Sequence, residues 1–172
     1  ANLVQLRPLT QAMAAVEDSG RGAIFSCSVG AGHAVLFFNI YGHTGGHADK
    51  HAAKLTDSII QACRVEAEAR HKGPIFILGD LNCNTSDLPS LVELLQDFYW
   101  TDVGAQAHLW GGIPCEYACI NGASKNPTRR DYVLCNLEAF SRIAYFQVNQ
   151  ADVFPTHSVL QLALHAQPQA PN

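Results

Sequence analysis

Four short stretches of this chain carry residue types suited to phosphoryl chemistry: Asn39-Ile40-Tyr41, Gly79-Asp80-Leu81-Asn82, Arg130-Asp131-Tyr132 and Thr156-His157. Each lies where an apolar run meets a polar loop, the place where sheet-based folds put their chemistry. Hydrolysis of a phosphodiester needs an aligned water, charge stabilisation on the phosphoryl oxygens and neutralisation of the leaving oxygen. Asp80 can orient and deprotonate the water. Asn82, two residues on, can hold that water or a phosphate oxygen without adding negative charge. A protonated His157 can donate to a non-bridging oxygen, and Asp131 suits the role of fixing its ring and keeping it charged. The Tyr41 hydroxyl can donate to the phosphate. Plainer alternatives stand beside each role. Asp80 and Asn82 suit a turn after a buried strand, and Asp131 suits a surface ion pair with Arg129 or Arg130. His157 suits an exposed strand start, and Tyr41 an aromatic at a sheet edge.

The elements that must position these residues are legible in the apolar pattern. Residues 3–9 read as a strand and 11–16 as a short helix ended by Ser19-Gly20. Apolar runs at 23–29 and 34–41, joined by Gly30-Ala31-Gly32, read as a β-hairpin. Both runs are nearly continuous, which predicts a sheet covered on both faces. Residues 49–71 form an amphipathic helix with Ala52, Leu55, Ile59, Cys63 and Ala67 on its inner stripe and Lys54, Glu66 and Arg70 off it. Gly73-Pro74 stops that helix. The run Ile75-Phe76-Ile77-Leu78 is then a buried strand leading to Asp80. A second helix, opened by Asp87 and Pro89, turns Leu91, Leu94, Leu95 and Phe98 inward. Residues 101–129 read as irregular. Strands return at 132–135, 143–148 and 158–164, before a loose tail from His165.

Composition narrows the class. A chain of 172 residues has room for one domain. With 48% apolar and 15% charged residues it is not a disordered chain. The net charge of -4 argues against a protein held to nucleic acid by bulk charge alone. No apolar run approaches the roughly 20 residues that a spanning helix needs. Six cysteines are too sparse for a disulfide scaffold and are expected to be reduced, in an intracellular setting. Lys125, Arg129 and Arg130 are the candidate phosphate contacts. His43, His47 and His51 lie four apart, as do Cys115 and Cys119, a spacing that zinc sites use. However, Gly45-Gly46 breaks any helix that would align His43 with His47. The same loop follows Tyr41 directly and suits the border of a phosphate-binding cleft.

In order and spacing, the four stretches resemble the endonuclease/exonuclease/phosphatase superfamily over residues 23–164. That family shows an Asn-x-Tyr strand end, a helix, a buried strand closing in Gly-Asp-Phe-Asn, an Arg-x-Asp-Tyr strand and a closing Ser-Asp-His. The resemblance implies a DNase-I-like α/β (α+β) fold, a four-layer sandwich of two mixed β-sheets flanked by helices. This chain would be a partial version, a single domain lacking its N-terminal part. It also implies Mg²⁺- or Mn²⁺-dependent hydrolysis of a phosphodiester, with a nucleic acid, DNA or RNA, as the first substrate class. The matching catalytic positions are Tyr41, Asp80, Asn82, Asp131 and His157, with Asn39, His43 and Arg130 as substrate contacts.

Two departures accompany the match. The family holds its ion chiefly by a glutamate in a Gln-Glu motif and by the closing aspartate. This chain has no Gln-Glu pair, and Thr156 stands at the aspartate position. Two expected ligand carboxylates are therefore absent, and no metal ligands are assigned. The departures motivate two further readings: a non-catalytic member that binds a phosphate ligand or partner, and a zinc-stabilised interaction domain. A chain lacking the family's first strands is also expected to show an open sheet edge and exposed apolar surface.

Overall fold

The computed structural model describes residues 2–30, 33–70, 73–97, 99–120, 126–149 and 156–166. The expectations that fall on Ala31-Gly32, Phe98, Lys125 and the tail beyond 166 lie outside these residues. In chain order the elements are β1 (Leu3–Leu6), α1 (Gln11–Asp18), β2 (Gly22–Gly30), β3 (His33–Tyr41), α2 (Lys50–Arg70) and β4 (Ile75–Asp80). Then come a 3₁₀ turn (Thr85–Asp87), α3 (Pro89–Gln96), β5 (Trp100–Asp102), a longer 3₁₀ segment (Gly104–Trp110), β6 (Cys119–Ile120) and β7 (Pro127–Thr128). The chain closes with β8 (Asp131–Asn136), α4 (Leu137–Phe140), β9 (Ile143–Asn149) and β10 (Val159–Leu164).

Six strands form one mixed sheet in the order β1-β2-β3-β4-β8-β5. Among the described strands only β3 and β4 pair in parallel, so α2 is the crossover that a parallel pair requires. Side chains alternate across the sheet. Phe38, Ile40, Ile75, Ile77, Tyr132 and Leu134 face a core built with α1, α2 and α3. Val35, Phe76, Val133 and Cys135 face the other way, onto Ile143, Phe146 and Val148 of β9. There Phe37 stacks on Phe76 with ring centroids 5.3 Å apart. The layers are helices, the six-stranded sheet, and a second sheet in which β9 pairs antiparallel with β10. This is the mixed α/β architecture expected from the sequence, with a two-stranded second sheet among the described residues.

Several local expectations change. The hairpin is covered in part on both faces: Ile24, Phe38 and Ile40 are buried on one and Val35 on the other, while Phe25, Cys27 and Leu36 are half-buried. The edge strand β1 leaves Leu3 and Val4 63% and 55% exposed. Leu55 is exposed, and the inner face of α2 runs instead through Ala53, Thr56, Ile60 and Ala62 as well as Ala52, Ile59, Cys63 and Ala67. Asp87 does not open α3. Its Oδ2 accepts from the Asn84 backbone and side chain, while Asp57 of α2 accepts from the Ser90 amide and hydroxyl in the first turn of α3. Residues 101–129 hold β5, the longer 3₁₀ segment, β6 and β7. His165 is tied down through its amide to the Arg142 carbonyl at 2.7 Å. Among the described residues no helix is long and apolar enough to cross a membrane.

Glu66, expected on the outer face of α2, is fully buried. Its carboxylate accepts from the Leu9 amide (2.8 Å), the Thr10 amide (2.8 Å) and the Thr10 hydroxyl (2.7 Å), and Arg70 donates to it at 2.8 Å. The Thr10 hydroxyl in turn accepts from the Met13 amide and caps α1. One carboxylate thus anchors the β1–α1 segment to α2. Burial pushes the Glu66 proton affinity up, but the Leu9 and Thr10 hydrogen bonds and the Arg70 charge outweigh it, so its pKa lies below the usual glutamate range. A lowered folded pKa contributes stability that is present above the unfolded value and lost as pH falls through the folded one. Glu66→Ala is expected to cost about 3 kcal/mol at neutral pH, because donors and a cation lose a buried partner. In urea unfolding, the gap between wild type and variant should narrow as the pH is lowered below the glutamate range. A gap that stays unchanged below that range would count against this anchor.

Candidate active site

Three strand ends meet at one place. Tyr41, the last residue of β3, pairs across the ladder with Asp80 at the end of β4, and Asp80 pairs with Asp131 at the start of β8. Residues opposite one another in a pleated sheet project to the same face. Tyr41, Asp80 and Asp131 therefore share the face that carries Val35, Phe76 and Val133 further along. His157 is brought to them by a bridge to Cys119, with Ser158 donating to the Ala118 carbonyl and Ile120 to the Thr156 carbonyl.

The result is a compact polar cluster. His157 Nδ1 lies 2.9 Å from Asp131 Oδ2, and Nε2 lies 4.0 Å from Asp80 Oδ2. With the Nδ1 proton donated to Asp131, the ring turns Nε2 toward Asp80 and toward Cys119 Sγ at 3.9 Å. Asp131 holds its proton more tightly than an ordinary aspartate. Burial is the main cause and the Asp80 charge adds to it, while the hydrogen bond and charge of His157 oppose them. The surface pairing with an arginine that Asp131 also suited is not adopted.

Backbone geometry explains the glycines of these motifs. Gly79 has φ +146°, and a Cβ there would collide with the Ile40 carbonyl oxygen. A Cβ on Gly42 would collide with the Leu81 carbonyl. The loops after β3 and β4 thus touch backbone to backbone. Asp80 Oδ1 accepts from the Asn82 amide at 2.8 Å, and Asn82 takes the left-handed region at φ 53°. Its Nδ2 donates to the Gly42 carbonyl at 3.2 Å. The turn that Asp80 and Asn82 suited is real, and it coexists with the place of Asp80 beside His157.

The other expected contacts scatter. Asn39 lies on the same face as Tyr41, and the two line a cavity of about 450 Å³ together with Gln5, Glu17, Arg21 and Asp80. The His43 amide donates to Thr56 Oγ1 at 2.8 Å. Burial first, then the charges of Arg21 and His51, lower its imidazole pKa. Arg130 is only 9% exposed and donates to Asn84 Oδ1 at 2.8 Å, while its carbonyl accepts from the Leu81 amide. Arg129 is held by both oxygens of Asp102, at 2.5 and 2.6 Å, and lies over the Tyr132 ring. Thr156 is exposed.

Two residues near the cluster were not singled out from the sequence: Arg21 and Cys119, in its role beside His157. Arg21 donates to the Gly42 carbonyl and lies over the Tyr41 ring. A cation just before an apolar run was its only signal.

Among the described residues, the group of metal-binding type is Asp80, Asp131 and His157, whose ligand atoms lie within 4.8 Å of one another. Two hard carboxylates and an imidazole fit a divalent ion such as Mg²⁺ or Mn²⁺. Neither His43, His47 and His51 nor Cys115 and Cys119 forms such a group. All six cysteines are free thiols, with Cys63, Cys83 and Cys135 buried.

No known protein family matches the chain, and no curated protein matches it in sequence. Solved structures do match in shape. The chain superposes on the 3′ phosphatase NExo from Neisseria bound to product DNA hairpin with a TM-score of 0.64 and 16% identity, covering 95% of this chain and 70% of that one. With the Xenopus laevis APE2 catalytic domain the TM-score is 0.61 and the identity 17%, over 94% of this chain and 60% of that one. With the Bacteroides thetaiotaomicron mannosyl-6-phosphatase Bt3783 it is 0.54 at 17% identity, over 84% and 55%. The chain has the DNase-I-like fold of the endonuclease/exonuclease/phosphatase superfamily, and spans 55% to 70% of these three proteins.

The left-handed backbone of Asn82 gives a testable stability order. Asn82→Gly should lose only the hydrogen bond to Gly42, about 1 kcal/mol. Asn82→Ala should lose that and about 1 kcal/mol more from its Cβ. Denaturant unfolding that ranks the alanine variant at or above the glycine variant would exclude this turn geometry.

Proposed function

We propose that this chain carries the catalytic cluster of a divalent-ion-dependent phosphodiester hydrolase, with nucleic acid as its first substrate class. The observation that carries the reading is the convergence of Asp80 at the end of β4, Asp131 at the start of β8 and His157 just before β10. The fold supports it, since nucleases and phosphatases share this architecture. In the proposed chemistry Asp80 orients the attacking water and accepts its proton. The Asn82 amide holds Asp80 Oδ1, which leaves Oδ2 to face the water. His157, fixed by Asp131, places its Nε2 toward the phosphoryl oxygens, and Tyr41 offers its hydroxyl from the next strand. Asn39 borders the cavity beside Tyr41 and lines the substrate path. His43 lies on the loop that follows and borders the same approach. Arg130 acts through Asn84 and Leu81, holding the loop that carries Asn82. An ion held by remaining lone pairs of the Asp80 and Asp131 carboxylates would supply positive charge to the phosphoryl oxygens, with His157 left to donate to them.

A second reading, phosphate binding without cleavage, rests on Thr156, a neutral residue where the resemblance calls for a carboxylate. One assay separates the two. The full chain is incubated with Mg²⁺ or Mn²⁺ and a supercoiled plasmid, an abasic oligonucleotide, or a hairpin ending in a 3′ phosphate. The hydrolytic reading expects cleavage that falls about 10²–10⁴-fold in Asp80→Asn without loss of the cooperative unfolding transition. Absence of turnover on all three substrates, with binding retained, gives the site to the second reading. Mn²⁺ affinity and activity that rise together in Thr156→Asp would strengthen that second reading.

A further inference from the structure

Arg21 enters the site from outside the four motifs. It sits in the turn between α1 and β2, and its backbone carbonyl accepts from the Tyr41 amide at 2.8 Å, so its place is set by the end of β3. Its Nη1 donates to the Gly42 carbonyl at 2.9 Å, the same oxygen that accepts from Asn82 Nδ2. Its guanidinium carbon lies 5.3 Å from the centroid of the Tyr41 ring. It also lines the cavity of about 450 Å³ shared with Asn39, Tyr41 and Asp80.

The partners of the other arginines make this arrangement distinctive. Arg64, Arg70 and Arg129 are paired with carboxylates, Arg130 is committed to Asn84 and Arg142 donates to the Ala166 carbonyl, and of these arginines and Arg7 none lines the cavity that Arg21 shares with Asp80. Among the described residues Arg21 forms no ion pair. A carbonyl and a ring face hold it in place without cancelling its charge. The acidic residue that shares its cavity with Asp80, Glu17, accepts from Gln5 Nε2 at 2.7 Å. A guanidinium carries five N–H donors in a planar fork that matches phosphate geometry, and one of them here goes to Gly42. Near two carboxylates, an uncancelled cation also offsets the repulsion that a phosphodiester would meet on approaching Asp80 and Asp131.

We infer that Arg21 is a substrate-binding residue, which takes a phosphate oxygen of a nucleic-acid backbone beside Tyr41, one subsite away from Asp80. The inference rests on the phosphate-ester reading of the site but not on turnover. The test is fluorescence anisotropy of a labelled single-stranded DNA oligonucleotide with the full chain in EDTA, over a range of salt. Arg21→Gln is expected to weaken binding about 10-fold and to reduce the salt dependence by about one phosphate contact. Arg64→Gln removes an equal charge near Gly73 and Asn136 at the start of β4, and should leave both unchanged. In the wild type, the Arg21 Nε–H resonance should shift when the oligonucleotide is added, a measurement that needs no variant. No binding by the wild type overturns the inference. So does an Arg21→Gln affinity within about twofold with an unchanged salt slope, or an unmoved resonance. Binding that depends on Arg21 in a chain that cleaves nothing keeps the inference and removes the hydrolytic reading.

Discussion

Backbone contact between the ends of β3 and β4 leaves no space for a Cβ at Gly79 or at Gly42. That close approach sets the register in which Tyr41 stands opposite Asp80. The β4–β8 ladder carries the same register one strand further, to Asp131. Because facing residues of a pleated sheet share a side, the three polar groups arrive on one face without any loop having to fold over them. His157 is added from the far end of the chain by a short backbone bridge, and its ring is locked by Asp131. Strand ends thus position Tyr41, Asp80 and Asp131, and an isolated bridge to Cys119 positions His157.

The two faces of the sheet divide the work. On one, α2 crosses from β3 to the parallel strand β4 and, with α1 and α3, buries Phe38, Ile40, Ile75 and Ile77. On the other, β9 and β10 cover Phe76, Val133 and Cys135 but stop short of the strand ends. Past that cover the side chains of this face change from apolar to Asn39, Tyr41, Asp80 and Asp131, with Asn39 and Tyr41 exposed and the two aspartates half-buried. The boundary between packed face and polar site is therefore a boundary of coverage. Glu66 serves the first face: a buried carboxylate, compensated by four donors, ties the β1–α1 segment to the crossover helix.

Charge is arranged with equal economy. The negative charge of Asp80 repels that of Asp131 and adds to the burial that raises the Asp131 pKa, and His157 stands within reach of both. A proton on the imidazole, or a divalent ion, relieves this repulsion. The arginines nearest in sequence do not. Arg129 is spent on Asp102 and the Tyr132 ring, and Arg130 on Asn84, so both stabilise the loops around the cluster. The cation that remains beside Tyr41 is Arg21, which lies about 60 positions upstream of Asp80 in the chain but lines the same cavity.

Much of this is legible in the sequence. The apolar runs located β2, β3, β4, β8, β9 and β10, and the 3.6-residue period located α2. The four polar stretches marked the strand ends, because a buried strand that closes in Gly-Asp has few reasons to do so other than a turn or a site. The partners that side chains choose were not legible. Helical periodicity put Glu66 off the stripe, since it registers hydrophobicity and not the donors of Leu9 and Thr10, more than fifty positions away. Adjacency in the chain favoured Arg129 or Arg130 for Asp131, whereas adjacent residues in a strand point to opposite faces and His157 lies on the correct one. By itself, then, the sequence determined which elements form and which polar residues end them, because local pattern governs backbone choice. Only the tertiary structure decided which of those residues meet, because strand register and face are set by backbone contacts between distant segments.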